Sequence, residues 1–417
     1  MAVGQSTFTQ RLTTAGANTL SDRRLLWALV AVFALRRLIA EVPVFMPPGA
    51  DVFPFIYDGH RALTNPDAIY AESAALIARG FVFITLYPPP QLLIAAVYAL
   101  APGSSGAYLW VATNALAAIA ALVLLLRLIK KIHAAATPIF WLVTVCFTPL
   151  FEDIRLGQRG GLLMLLSVGA MSLIFARPAT AGVLAGLATS LKFYPGAMVF
   201  AVDPRKTWTF IASLIATAGI TLGVSFIPFG SPFLYLFDVL LPSLGWARSG
   251  PHDCFQNSTP LLFARVVGGE SFGVIDQSGT WRQATFVPWH FEALAGGLAY
   301  LTIGVVFLAA IWAVWRSGAA QPYSLALCFS LGTLLPGEVF TYQFLPMLPL
   351  LVIVFMKALE RREFGTMLIL GLAQWILLIS PCALPLPSLW TVAALAIFAV
   401  SVWHARSFRS VTAGPVG

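Results

Sequence analysis

Charge is what this chain has least of. Only 10% of its 417 residues are Asp, Glu, Lys or Arg, against about 25% in soluble domains. That shortage excludes a soluble globular protein, because too few polar side chains exist to cover a core of this size. Cysteine is also sparse, at four residues. Cys146, Cys328 and Cys382 fall in or beside apolar stretches and Cys254 stands alone, so neither a disulfide framework nor a zinc site is indicated. There is no Walker loop, no HExxH, no GxSxG and no GxGxxG opening a helix, which argues against soluble nucleotide chemistry.

What the chain does have is apolar surface. Hydrophobic residues make up 59% of it and the mean hydropathy is +0.85. Stretches long enough to cross a ~30 Å hydrocarbon layer recur along nearly its whole length. The composition predicts an all-α polytopic membrane protein from which no soluble domain can be cut. The formal charge of +8 is spread over segment ends, the pattern of positive-inside topology signals and not of a nucleic-acid surface. Polar residues precede Asp22-Arg23-Arg24, and the stretch 25–45 is apolar apart from Arg36, Arg37 and Glu41. It reads as an uncleaved first helix with a cytoplasmic N-terminus.

Basic clusters orient the rest. Arg205-Lys206, Arg316, the group Lys357, Arg361 and Arg362, and the run from His404 to Arg409 are separated by pairs of apolar segments, so all can be cytoplasmic together. The polar stretches 241–292, 335–341 and 381–387 then share the outer face with Asp51. Between the first external loop and Arg205 lie apolar blocks at 86–101, 108–128, 138–151, 161–175 and 181–202. Five simple crossings would place Lys130-Lys131 outside. A re-entrant or surface helix at Pro88-Pro89-Pro90, with a break at Lys192-Phe193-Tyr194-Pro195, keeps the basic residues inside and is the layout expected here. Roughly ten to twelve membrane helices follow, with no inverted repeat of the transporter kind. The division is a cytoplasmic tail at 1–24, a transmembrane domain at 25–404 with external loops at 46–87 and 241–292, and a cytoplasmic tail at 405–417.

Three polar patches interrupt the apolar background. The first, 49–59, carries Asp51 and Asp58, with Arg36, Arg37 and Glu41 before it and His60 and Arg61 after it. Ionisable groups at membrane depth usually line a wet cavity or mark a function. A carboxylate there can take a proton from a hydroxyl, and an arginine can hold a phosphate through its fork. The plainer alternative has the arginines reaching for the interface and Asp51 capping an amphipathic segment. The second patch, 151–161, crowds Glu152, Asp153, Arg155, Gln158 and Arg159 between glycines. Further on, Lys192 follows ten apolar or small residues, so it is expected to face a cavity or an anion. The third patch runs from His252 to Arg265 and mixes hydrogen-bonding side chains with aromatics, which suits a sugar.

In serial order these patches resemble glycosyltransferase family 87, bacterial integral-membrane enzymes of the GT-C architecture. The resemblance rests on Asp51 with Phe55 and Tyr57, then Tyr87-Pro88-Pro89, Gly157-Gln158, Ala181-Gly182 through Lys192 and Pro195, and Gln256-Asn257-Ser258 with Arg265. It extends over roughly residues 25–350. Two departures are Gln158-Arg159-Gly160 in place of Gln-x-Asn, and the stretch 337–343, including Tyr342, in place of a His-containing one. The family is similar to the α-mannosyltransferase of phosphatidylinositol-mannoside synthesis. The resemblance implies an inverting transfer of a sugar, mannose first, from a polyprenyl-phosphate donor to a glycolipid or cell-envelope glycan acceptor at the outer face of the plasma membrane. Asp51 would be the base, with Asp58 the second choice. Arg36, Arg37, Arg159 or Lys192 would hold the donor phosphate, and His60, Gln158, His252, Gln256, Asn257 and Tyr342 the sugar or acceptor. No cofactor is required, although Glu152 and Asp153 leave room for a divalent cation. The alternatives are a transporter or flippase of lipid-linked saccharides, or an arabinofuranosyl transferase of the same architecture.

Overall fold

A backbone surrounded by lipid has to satisfy its own hydrogen bonds, and this one does so almost entirely as helices. The computed structural model describes residues 23–41, 52–79, 87–130, 136–242, 252–253, 256–275, 281–318, 322–336, 340–379, 381, 384, 386 and 388–412. Asp51, Cys254 and Cys382 lie outside the described residues, whereas Cys146 and Cys328 are buried free thiols.

The N-terminal half contains α1 (Arg23–Glu41), α2 (Val52–Thr64), α3 (Ala68–Ala78), α4 (Pro89–Ala99), α5 (Ser105–Lys130), α6 (Ala136–Val145), α7 (Thr148–Arg155), α8 (Gly160–Leu173), α9 (Pro178–Leu191) and α10 (Pro204–Phe226). The C-terminal half adds α11 (Thr259–Val266), α12 (Glu292–Ser317), α13 (Pro322–Leu334), α14 (Met347–Glu360), α15 (Phe364–Leu378) and α16 (Leu389–Trp403). Among the described residues, three helices are long and apolar enough to cross a membrane: Ser105–Lys130, Thr207–Phe229 and Glu292–Ser317. The pair α6–α7, bent by 54°, makes a fourth if taken as one broken span, and shorter apolar helices of 10–17 residues fill in around them.

The centre of the bundle is α14. It is apolar on every side and buried from Met347 to Val354, as expected of a helix with neighbours all round. Buried α13 packs beside it, and α16 closes the cluster with Trp390, Ala394 and Ile397. At the periphery the pattern inverts. Val32, Leu35 and Ile39 on α1, Ile215 and Ile220 on α10, and Leu301, Val305 and Leu308 on α12 are all exposed. Water would oppose so much outward apolar surface, whereas acyl chains accept it.

Two breaks shape the site. Between α6 and α7 the chain turns at Cys146-Phe147, with Pro149 just inside α7. Arg37 fills that break. Its Nε donates to the Val145 carbonyl at 3.2 Å, an Nη donates to Thr148 Oγ1 at 2.5 Å, and the guanidinium lies 4.8 Å from the Phe151 ring centre. The second break follows α9. Gly182 faces the Phe210 carbonyl and Gly186 the Leu214 carbonyl, at contacts where any Cβ would collide. Both pairs advance together along the chain, so α9 and α10 run in the same direction. The intervening 3-10 segment Tyr194–Ala201 therefore carries the chain back, and the expected break at Lys192 to Pro195 is present. The expected short helix after Pro88 is also present: α4 has 11 residues, a rise of about 16 Å, too little to span.

The stretch 241–292, read from sequence as a polar loop, holds more order than expected. It contains α11 and a three-stranded sheet, β1 (His252–Asp253), β2 (Ser271–Ile275) and β3 (Trp281–Thr285). β1 pairs with β2 in parallel and β2 with β3 antiparallel, with Phe272 opposite His252 on one side and Ala284 on the other. Gln256 also bridges to Phe340, which ties this layer to the segment before α14.

Candidate active site

The second polar patch folds around one carboxylate. Asp153 is buried; its Oδ1 accepts from the Gly160 amide at 2.9 Å, and its Oδ2 accepts from the Gly161 amide at 3.1 Å and from Asn114 Nδ2 at 2.9 Å. It thereby satisfies two of the amides that open α8, which have no intrahelical partner. Glycine is required at both positions, because a Cβ at 160 would strike the Asp153 carboxylate and one at 161 the Asn114 carbonyl. Trp110 Nε1 donates to the Gly157 carbonyl at 2.6 Å, and Gly157 itself has φ +70°, a conformation glycine adopts without strain. Glu152 pairs with Arg155 at 2.5 Å. Asp153 thus fixes the turn that presents Arg159.

Arg159 projects onto the Tyr87 ring, its guanidinium 4.7 Å from the centroid. Its Nε is buried and has no hydrogen-bond partner, a state that native structures seldom leave unexplained. Tyr87 is held in turn. Tyr70 donates its hydroxyl to the Tyr87 carbonyl at 2.7 Å, and Phe55 meets the Tyr87 ring edge-on at 5.6 Å. Lys192, in extended backbone just past the end of α9, points its ammonium between Tyr194 and Tyr342, at 5.5 and 5.8 Å from the ring centres. Gln91, at the start of α4, donates to the Leu191 carbonyl and so pins the residue before Lys192. Lys192 lies within electrostatic reach of Arg159 and Asp153, and Tyr194 within reach of Asp153 and Arg159. Among the described residues no carboxylate comes within 4.0 Å of either cation. Two basic side chains held close on aromatic walls, with no carboxylate in ion-pair contact among the described residues, have the chemistry to attract an anion.

The remaining candidates distribute around this centre. Asp58 is buried on α2, 3.7 Å from Arg61, which also pairs with Glu72. It lies within electrostatic reach of Tyr70, whose ring packs 4.8 Å from that of Tyr235. Gln158 is buried in the turn beside Arg159. Gln256 joins through its bridge to Phe340, whose ring stacks on Tyr342 at 5.8 Å. Asn257 is buried next to it, ahead of Ser258, which caps α11 by accepting from the Leu261 amide at 3.2 Å. His60 is exposed on α2, Arg36 is exposed on α1, and Arg37 is occupied at the α6–α7 break. His252 lies on β1. Arg265, part of the third motif, is fully buried and donates to Ser388 at 3.0 Å beneath Phe272. No group of three or more His, Cys, Asp or Glu suited to a metal ion occurs among the described residues.

Sequence reasoning missed Tyr70, Tyr235, Gln91 and Asn114. The two amides were the findable ones, since each is a polar residue inside an otherwise apolar block. The tyrosines carried no such signal. A family model described as Glycosyltransferase family 87 matches residues 85–341, which takes in Tyr87, Arg159, Lys192 and Gln256 but begins after Asp58. No curated protein and no solved structure matches the chain.

Proposed function

The chain belongs to glycosyltransferase family 87, and from that premise we propose that it moves mannose from a polyprenyl-phosphate donor to a hydroxyl of a lipid-linked or cell-envelope glycan. The observation that carries the reading is the pair Arg159 and Lys192, two cations without carboxylate partners on a floor of tyrosines. A lipid phosphate is already a good leaving group. The protein's tasks are then to stabilise charge on the departing phosphate, deprotonate the acceptor hydroxyl and align the two.

In this mechanism Arg159 and Lys192 hold the donor phosphate and take up its charge as the glycosidic C–O bond breaks. Arg36 and Arg37 suit that task less well, because donors of Arg37 are already engaged with Val145 and Thr148. Asp51 is the general base, with Asp58 the alternative. The acceptor oxygen attacks the anomeric carbon from the face opposite the phosphate, so configuration inverts. Gln158, Gln256, Asn257 and Tyr342, with His60 and His252, are the residues proposed to bind the sugar or acceptor. The two cations can do the work a divalent ion would otherwise do. The site opens on the outer face of the plasma membrane, with both termini cytoplasmic, in keeping with the basic residues at the opposite helix ends.

The test is incubation of purified protein with labelled polyprenyl-phosphate-mannose and a lipid acceptor. A labelled glycolipid is the expected product. Passage of intact donor across the bilayer with no transfer would replace this reading with that of a flippase.

A further inference from the structure

Both cations of the candidate site are held by one short segment, 87–91, at the start of α4. Its first residue, Tyr87, puts its ring 4.7 Å from the Arg159 guanidinium. Its last, Gln91, is 2% exposed and donates its Nε2 to the Leu191 carbonyl. Leu191 ends α9, so its carbonyl has no partner within that helix, and the next residue, Lys192, leaves in extended backbone with φ −155° and ψ 127°. Packing supports the same contact. Ile94, on the same face of α4 one turn on, packs against the cluster of Leu163, Ala188 and Leu191, while Leu92 joins Tyr70 and Tyr235 in another. Between Tyr87 and Gln91 stand Pro88, Pro89 and Pro90, all buried. Proline has no N–H, so this stretch of buried backbone has no donors to leave unpaired, and each ring fixes φ near about −65°; Pro88 has φ −63° and ψ 153°. Stiff backbone thereby holds the spacing between the ring on Arg159 and the amide on Leu191.

We propose that Gln91 is a positioning residue for Lys192, and that through it the segment 87–91 sets where the two cations stand. Stability does not account for the residue. Its Oε1 is buried with no hydrogen-bond partner, so a leucine at 91 would exchange that unpaired oxygen for another, the Leu191 carbonyl, with little net change. What the amide adds is a fixed direction. It holds the last carbonyl of α9, and with it the turn from which Lys192 reaches between Tyr194 and Tyr342. That Lys192 there meets a donor phosphate rests on the transferase reading; its being held by Gln91 does not.

The experiment uses the full chain in detergent micelles with acetic anhydride as the probe, acetylation of Lys192 being followed by peptide mass spectrometry in wild type, Gln91→Leu and Gln91→Met. With the hold removed, Lys192 should acetylate about 2- to 13-fold faster, the worth of one neutral hydrogen bond. The pH profile of that reaction should move, and the melting temperature should stay near wild type. The same variants, alone and combined with Lys192→Met, are then assayed for kcat/KM with polyprenyl-phosphate-mannose. Gln91→Leu alone should lose about 2- to 13-fold. In the Lys192→Met background it should lose nothing further, because a residue that acts through another adds no loss once the other is gone. Losses that multiply, or a lower melting temperature with Lys192 acetylation unchanged, would make Gln91 a separate contact or a structural cap and overturn the inference. If wild type transfers no sugar, the transferase reading falls and acetylation alone decides the role of Gln91. Sugar transfer with Lys192 acetylating alike in all three proteins would overturn that role and leave the transferase standing.

Discussion

The guanidinium of Arg159 rests 4.7 Å from the centre of the Tyr87 ring, while the Tyr87 carbonyl accepts the Tyr70 hydroxyl at 2.7 Å. One residue thus supplies the floor for a cation with its ring and an anchor to α3 with its backbone. Tyr87→Leu removes the floor and keeps the anchor. It is expected to lower kcat/KM for donor about 2- to 30-fold, the equivalent of roughly 0.5–2 kcal/mol for a cation on an aromatic face, with Tyr87→Phe close to wild type. Equal losses in both variants would assign the effect to the hydroxyl.

Asp153 is expected to behave as a structural residue. Asp153→Ala leaves the amides of Gly160 and Gly161 and the Asn114 side chain without their acceptor, at about 1–3 kcal/mol for each buried group. A marked fall in detergent melting temperature should result. Glu152→Gln, at a partly exposed pair with Arg155, should change stability by less than about 1 kcal/mol. A stable but inactive Asp153→Ala protein would give this carboxylate a chemical role instead.

The base is tested by comparing Asp51→Asn with Asp58→Asn. Loss of a general base lowers turnover by about 10² or more, and that loss is expected in the first variant, with folding and donor binding kept. If Asp51→Asn turns over normally and Asp58→Asn does not, the base is the buried carboxylate next to Arg61.

Orientation has its own check. A cysteine at Ser271, on β2, should react with an impermeant reagent added to intact cells, and one at Arg362, between α14 and α15, should not, if the two lie on opposite faces as the charge bias predicts. The reverse labelling would remove the external site.

The parts of this architecture that sequence could reveal are those marked by local chemistry. Pro88 to Pro90 announced the short α4, and a lysine followed by Pro195 in an apolar block announced the break after α9. The polar patches were visible as interruptions. What stayed hidden depends on residues far apart in the chain. The arginine pair on α1 suggested phosphate binding, yet Arg37 bonds to Val145, 108 residues away, where a broken helix leaves a carbonyl open. Asp153 accepts a hydrogen bond from Asn114, 39 positions earlier, a contact that nothing local in the sequence announces. The sheet at 252–285 went unread because its strands are at most five residues long and sit among glycines and polar residues that resemble a loop. Tyr70 and Tyr235 are aromatics in apolar surroundings, where nothing local separates a site residue from core.

Lys192 is where the account is most exposed to test. Glu152 holds Arg155 and Asp153 accepts the Gly160 and Gly161 amides, so among the described residues neither makes a close ion pair with Lys192, although Asp153 lies within its electrostatic reach. The decisive measurement is the initial rate of sugar transfer as a function of polyprenyl-phosphate-mannose concentration for wild type and Lys192→Met, alongside their melting temperatures. The expected result is an unchanged melting temperature with kcat/KM for donor reduced by about 10- to 150-fold, the loss of one charge-assisted contact of roughly 1.5–3 kcal/mol. A folded variant with wild-type donor kinetics would contradict the account.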